Sequence, residues 1–458
     1  MAAGSLFEKY NGFLPQFLTV LAATLNAVSD GMNYAWSSPM LPRLEKEDSP
    51  IKITESDESY LENILLIAGL VGLPLTTYLV DKIGRKQSTL AATCTSVIGW
   101  ILIGIANNII YLYVARFMMG VAADIAFISS PMFIAEISHK SYRGFLSGTI
   151  YIMSFTGTVI MYIIGPYVAF YVPSIVAGMF LIPQICILPF MPDSPYYLII
   201  KGKEELARES LCRLRGTYDV DTEMTEILYA IDKEKQQKKG SVKDLFTVPS
   251  IRKAVIIMAV LNAGQHLGGY TAITMNLHDI LSSAESTYLD DEVAAVMYAL
   301  LMLFASVVAI LMVDKFGRKT ILLISAILTG LTLVTIGIYF YLKVDHDVSS
   351  ISWIPVVAVM LFAVTFKLGM GIVPIVLTAE LFPPSVKAYG MASADAMYII
   401  FGSLSISIYY YLKDDLGGMY LPFYFFAAAC FVTALFVVLF VPETKGKTLD
   451  EVQMILRK

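Results

Sequence analysis

Long uncharged runs recur along this chain and limit what it can become. A helix needs about 20 mostly apolar residues to cross the hydrocarbon core of a bilayer. Within lipid, only helices and closed barrels satisfy every backbone polar group. On that scale the sequence predicts spans near residues 13–35, 61–80, 87–106, 109–136, 145–168 and 171–191. A polar stretch follows over 192–252, and six further spans are predicted near 253–280, 292–313, 320–342, 352–381, 388–411 and 420–441. The first run, "LTVLAATLNAVSDGMNYAW", lacks a small-residue cleavage pattern and reads as a retained helix. The expected fold is therefore an all-α membrane protein with twelve transmembrane helices. The expected division is a bundle over 1–191, a cytoplasmic linker with short helices over 192–252, a second bundle over 253–441 and a cytoplasmic tail over 442–458.

Composition narrows the chemistry. The chain is 57% hydrophobic and 16% charged, whereas a soluble domain is about half apolar and a quarter charged. Cys94, Cys186, Cys212 and Cys430 are scattered, which gives no disulfide framework. There is no metal-ligand spacing and no phosphate-cradling glycine loop. These features lead us to expect no metal, no cofactor, no ATP-driven step, no nucleic-acid partner and no covalent catalysis. The expected partners are the lipid bilayer and a small solute.

Orientation follows from lysine and arginine, which favour cytoplasmic loops. Lys82, Arg85 and Lys86 follow the second span, and Lys315, Arg318 and Lys319 follow the eighth. Lys140, Arg143 and Lys387 follow the fourth and tenth, and the central segment carries "KGKEELARESLCRLRG". The loop after the first span is instead rich in acids, among them Glu45, Glu55 and Glu58. Both termini and the linker are thus expected in the cytoplasm. The linker stretch is amphipathic, with Leu206, Leu211 and Leu214 near helical spacing.

The basic loops are also copies. "DKIGRK" (Asp81 to Lys86) recurs as "DKFGRK" (Asp314 to Lys319). Glu136 then precedes Arg143 by seven residues, as Glu380 precedes Lys387. Two charged motifs in the same order after corresponding spans point to a duplicated six-helix unit. Glycine lets such a short turn reverse without a Cβ penalty. The flanking charges either anchor the loop on the inner side or pair with neighbouring helices and bias a two-state equilibrium.

These hexapeptides, with "ARFMMG" (Arg116 to Gly120), "PMFIAEISHKSYRG", "PDSPYYL" (Pro192 to Leu198), "AELFP" and "VPETKGKTLDEV" (Val441 to Val452), give the chain its resemblance to the sugar porter family of the major facilitator superfamily. Within that family it is similar to the insect trehalose-transporting branch. The resemblance implies two pseudo-symmetric six-helix bundles, alternating access to a central site and a sugar-like substrate such as trehalose or a hexose. It also implies cytoplasmic ion pairs among Asp81, Arg85, Glu136, Arg143, Asp314, Arg318, Glu380 and Lys387, and delivery to the plasma membrane.

The expected site departs from that pattern. Where the family's seventh span usually reads QQxSGxNxxxYY, this chain has "QHLGGYTAITMN". Gln265 is kept, His266 and Thr271 replace a Gln and an Asn, and Met275 and Asn276 replace the Tyr pair. Tyr151, Met302, Ile375 and Tyr398-Ile399 stand where the family has Gln, Asn, Trp and Asn-Trp, and Tyr196 stands for Arg. Asn262, Gln265, His266 and Gly269 share one face by helical spacing. That stripe either faces a cavity or packs helix on helix. The substrate-contacting candidates are Asn262, Gln265, His266, Thr271, Tyr151 and Tyr398. Asp30, one of several ionisable groups inside spans, is a candidate coupling acid or a structural residue, although the first-helix Asp of proton-linked relatives aligns with Asn33. "GMGIVP" (Gly369 to Pro374) reads as a flexible break in the tenth span. A facilitative carrier, a proton symporter and a non-transporting sensor are the functional alternatives.

Overall fold

The computed structural model describes residues 2–46, 49, 51–139, 142–236, 241–383, 386–447 and 449–457. Among the described residues, twelve principal helices succeed one another. They are α1 (Ala2–Ala35), α2 (Glu55–Lys82), α3 (Arg85–Gly104), α4 (Ile109–Ile137), α5 (Arg143–Ile164) and α6 (Val172–Ile187), followed by α7 (Pro249–Leu267), α8 (Asp291–Phe316), α9 (Arg318–Asp345), α10 (Trp353–Leu368), α11 (Lys387–Tyr410) and α12 (Tyr420–Phe440). Among the described residues, eleven helical stretches are long and apolar enough to cross a membrane. The seventh is instead assembled from α7 and two short continuations, Tyr270–Met275 and Leu277–Ala284. The outer faces carry Leu75, Ile98, Ile101, Phe117 and Ile182 exposed. That placement is unfavourable in water and suits a lipid solvent.

The chain forms two compact units. The first comprises Met1–Tyr34, Ala68–Ile160 and Val168–Lys238. Its core joins Val20 and Ala23 of α1 to Phe133, Ile134 and Ile137 of α4, with Leu146, Leu188 and Leu214. α1 and α5 approach closely through glycine: a Cβ on Gly31 would lie 1.8 Å from the Ser154 carbonyl, and one on Gly157 1.9 Å from that of Val28. Small residues at a crossing let membrane helices make such contact. The polar segment forms helices Pro195–Ile200, Glu204–Arg215 and Asp221–Gln236, packed through Leu198, Ile199, Ala207, Leu211, Val220 and Ile227. Leu206 departs from the amphipathic reading: it is exposed and Ala207 takes the buried position. Arg215 pairs with Glu223 at 2.6 Å and donates to the Ile137 carbonyl at 2.9 Å, which fastens this layer to α4.

The second unit comprises Ala35–Ile67, Met161–Tyr167 and Lys239–Lys458. Here α9 packs along α12 and α10. Two of its spans are interrupted. α7 stops at Leu267, and Gly269, at φ 90°, restarts the helix at Tyr270. α10 stops at Leu368, and the chain resumes as Val373–Leu381, so the break falls within "GMGIVP".

The repeated hexapeptides adopt the same turn. Gly84 has φ 94° and Gly317 has φ 92°, a region other residues enter at a cost of about 1–2 kcal/mol. An added Cβ would also meet the Tyr197 ring at 2.6 Å in the first copy and the Glu443 carboxylate at 2.6 Å in the second. Gly317→Ala is therefore expected to destabilise the protein by ~2 kcal/mol or more. Gly144→Ala is the control, because Gly144 has open space around it inside α5; there alanine should be neutral or slightly stabilising. Thermal unfolding of the two detergent-solubilised variants checks the contrast, and equal melting temperatures would refute it.

Candidate functional site

Each copy of the hexapeptide sits in a polar clasp. In the first unit, Arg85 Nε pairs with Glu136 Oε1 at 2.9 Å. Ser194 Oγ donates to the other oxygen of Glu136. The Arg85 guanidinium lies 5.7 Å from the centre of the Tyr197 ring, and the Tyr197 hydroxyl donates to the Lys82 carbonyl at 3.0 Å. Lys86 donates to the Met191 carbonyl at 2.9 Å and lies 4.0 Å from Asp193.

The second unit repeats the arrangement. Arg318 Nη2 pairs with Glu380 Oε1 at 2.8 Å, and Thr444 Oγ1 donates to Glu380 Oε2 at 2.5 Å. Arg318 donates to the Val313 carbonyl, as Arg85 does to that of Val80. Lys445 Nζ donates to the Lys315 carbonyl at 2.7 Å, the counterpart of the contact to Lys82. Glu443 accepts the α9 N-terminal amides of Arg318 at 3.0 Å and Lys319 at 3.1 Å, a favourable place for an anion. Burial pushes the Glu443 carboxyl up, but the backbone amides of Lys445, Arg318, Lys319 and Thr444 outweigh it and hold it below its ordinary value.

Ser194, Thr444 and Glu443 were not singled out from the sequence, although the signal was present. Pro192-Asp193-Ser194 and Pro442-Glu443-Thr444 are a third repeated motif, proline followed by an acid and a hydroxyl. Of the eight gating candidates, Arg85, Glu136, Arg318 and Glu380 are brought together in pairs. Asp81 and Arg143 are exposed and Lys387 is half-buried. None of these three forms an ion pair among the described residues. The Asp314 side chain lies outside the described ones.

A second polar cluster lies inside the second unit, where α7 breaks. Asn262, Gln265 and His266 are all buried, and Gly269 leaves their face because the helix ends before it. Asn262 Nδ2 donates to the Met258 carbonyl at 2.9 Å. His266 Nδ1 shares a 2.7 Å hydrogen bond with Thr271 Oγ1, and Ser405 donates to the His266 carbonyl at 2.7 Å. The Tyr398 ring meets the imidazole edge-on, with centroids 4.1 Å apart. Tyr270 stacks on Phe366 at 4.8 Å, and the buried Lys367 ammonium sits 4.5 Å from the centre of the Tyr270 ring. Gln265 Oε1 and His266 Nε2 are buried with no hydrogen-bond partner among the described residues. A buried polar atom left unpaired costs about 1–3 kcal/mol, and these two are neighbours on one helix, beside the Tyr398 ring.

The remaining candidates lie in the first unit. Tyr151 is half-buried on α5. Asp30 is half-buried on α1. One turn further along, Asn33 receives Arg116 Nη1 at both its side-chain oxygen, 2.8 Å, and its carbonyl, 2.6 Å. Asp124 accepts from Thr76 at 2.5 Å.

Residues 10–456 match the family model described as "Sugar (and other) transporter". The facilitated trehalose transporter Tret1 of Anopheles gambiae is 28% identical over 450 residues, covering 96% of this chain and 55% of that protein. Tret1 of Culex quinquefasciatus is 27% identical, covering 96% and 85%. The chain thus spans about half the length of the first relative and most of the second. The inward open conformation of the xylose transporter XylE from E. coli superimposes with a TM-score of 0.79 at 20% identity, covering 96% of this chain and 99% of that one. That likeness shows a common fold, two six-helix bundles of the major facilitator type.

Proposed function

Because the chain belongs to the sugar (and other) transporter family, we propose that it is a facilitative carrier of a small polyhydroxylated solute, a sugar such as trehalose or a hexose, working by alternating access. The observation that carries this reading is the pair of unpartnered atoms on Gln265 and His266 beside the Tyr398 ring. Sugars offer hydroxyls that both donate and accept, with an apolar face for an aromatic ring. Gln265, His266 and Tyr398 are the proposed direct contacts and Thr271 holds the imidazole, with Asn262 beside them; Tyr151 is the candidate contact offered by the first unit. Charge placement supports an inside location for both termini and the linker, and the plasma membrane is the proposed destination. Residues 1–191 and 253–441 serve as the two bundles, joined by 192–252 and followed by the tail 442–458.

Arg85–Glu136 and Arg318–Glu380 serve as inner clasps, one for each copy of the repeat. Asp81, Arg143, Asp314 and Lys387 are the further charges assigned to this gate, which take up partners only in another state of the cycle. An ion pair at the membrane boundary gains strength when water is excluded and weakens when it is admitted.

Facilitation is preferred to proton coupling because Arg116 engages Asn33, an amide that does not titrate, at the place where proton-linked relatives carry an acid. Trehalose uptake into cells lacking endogenous carriers should therefore be saturable and equal at two external pH values about 2 units apart. Uptake that collapses at the higher pH, and is freed of that dependence by Asp30→Asn, would establish a symporter instead. Binding of trehalose without net flux would establish a sensor.

A further inference from the structure

The ends of the spans opposite the hexapeptides hold a polar network that the transport reading leaves unassigned. Tyr410, the last residue of α11, donates to Asn276 Oδ1 at 2.7 Å, and Asn276 Nδ2 donates to Glu62 Oε2 at 3.1 Å. Glu62 is fully buried on α2. All three belong to the second unit, yet they come from three elements far apart in sequence. Glu62 sits within the regular helix α2, whereas the other two adjoin irregular backbone. Asn276 is the joint between the short helices Tyr270–Met275 and Leu277–Ala284. Tyr410 leads directly into a π-helical turn, Tyr411–Asp415; such turns recur at functional sites. The segment ending at Asn276 starts at the left-handed Gly269, so a six-residue helix is hinged at both ends.

Neighbouring contacts run in the same direction. His278 N donates to Ser38 Oγ at 3.0 Å, and Tyr162 donates to the Thr274 carbonyl at 2.7 Å. Asn63 engages Ser403 and Ser407 of α11. Lys413 pairs with Asp279 at 2.7 Å. A small cavity of about 20 Å³ adjoins them, lined in part by Ser38, Leu41, Glu58, Met275 and Asn276.

We propose that Glu62, Asn276 and Tyr410 form a hydrogen-bonded latch that holds the outer mouth of the second unit shut and must open once in each transport cycle. A latch of this composition closes firmly because Glu62, Asn276 and Tyr410 are all buried, where a polar group left unpaired costs about 1–3 kcal/mol. It also reopens readily, because water can satisfy the same groups once admitted. An apolar plug has no such alternative partner. The assignment of this end as the outer one rests on the orientation proposed above.

Leu41→Cys, in a chain whose four native cysteines are replaced, gives a reporter beside the latch, where Leu41 is buried and lines the same small cavity as Asn276. The probe is a membrane-impermeant maleimide applied to intact cells. Asn276→Ala and Tyr410→Phe are each expected to raise its labelling rate about 3- to 10-fold, with surface amounts matched by biotinylation. A merely structural role would lower the melting temperature and leave the labelling rate unchanged, and that result overturns the proposal. Tyr410→Phe changes one hydroxyl only, so it reports even where Asn276→Ala fails to fold. Rates that rise only in inside-out vesicles support the latch and overturn the orientation. Rates that rise in a protein carrying no trehalose support the latch and overturn the substrate.

Discussion

Glu136→Ala is expected to destabilise the protein by ~2–4 kcal/mol, more than any other single change at the inner clasps. The substitution leaves the Arg85 guanidinium, 9% exposed, without its partner, and deprives Ser194 Oγ of its acceptor. The cost comes chiefly from the stranded charge and much less from the attraction lost. The double variant Arg85→Met with Glu136→Leu should therefore be more stable than either single variant, since it removes both charges together. Glu380→Ala should follow the same direction with a smaller loss, because the Glu380 side chain is 27% exposed against 15% for Glu136. Water then takes over part of the pairing. Thermal unfolding of the parent, Glu136→Ala, Glu380→Ala, Arg85→Met, Glu136→Leu and the double variant checks the ordering. Losses that simply add in the double variant would mean that the two groups do not act as a pair.

Gln265→Ala is expected to raise KM for the transported sugar about tenfold or to abolish measurable uptake. One hydrogen bond to a bound hydroxyl is worth ~0.5–1.5 kcal/mol, and tenfold in affinity is ~1.4 kcal/mol. The glutamine offers both an acceptor and donors at a place where its Oε1 is otherwise unpaired, so its loss is felt only when ligand is bound. Asn262→Ala should cost less, because the Asn262 amide already donates to its own helix at the Met258 carbonyl. Initial rates over a range of sugar concentrations, corrected for surface protein, separate the two variants. A larger effect at Asn262 than at Gln265 would move the binding face round the helix.

The membrane helices were legible because lipid forces each crossing to be a run of about 20 apolar residues. The turn at each hexapeptide was legible as well, since its glycine is required by the backbone itself. The interrupted spans were legible only in part. "GMGIVP" announced its break through glycine and proline, whereas the second joint of the seventh span, at Asn276, carries no such signal. Its geometry depends on Tyr410 and Glu62, which are remote in sequence. Leu206 and Ala207 show the same limit at smaller scale. Helical spacing tolerates either at the buried edge, and packing against Leu198 and Ile227 selects the smaller one. The clasps were readable as charges but not as complete networks. Ser194 and Thr444 acquire their role only when the chain folds back and sets each hydroxyl against a glutamate.

Tracer uptake into liposomes containing the purified protein tests the central claim most directly. With labelled trehalose outside and unlabelled trehalose inside, the account predicts saturable accumulation that outpaces empty liposomes, requires no pH gradient and disappears in Gln265→Ala. Accumulation that appears only with an imposed proton gradient, or none for trehalose, glucose and fructose alike from protein that still unfolds cooperatively, would contradict it.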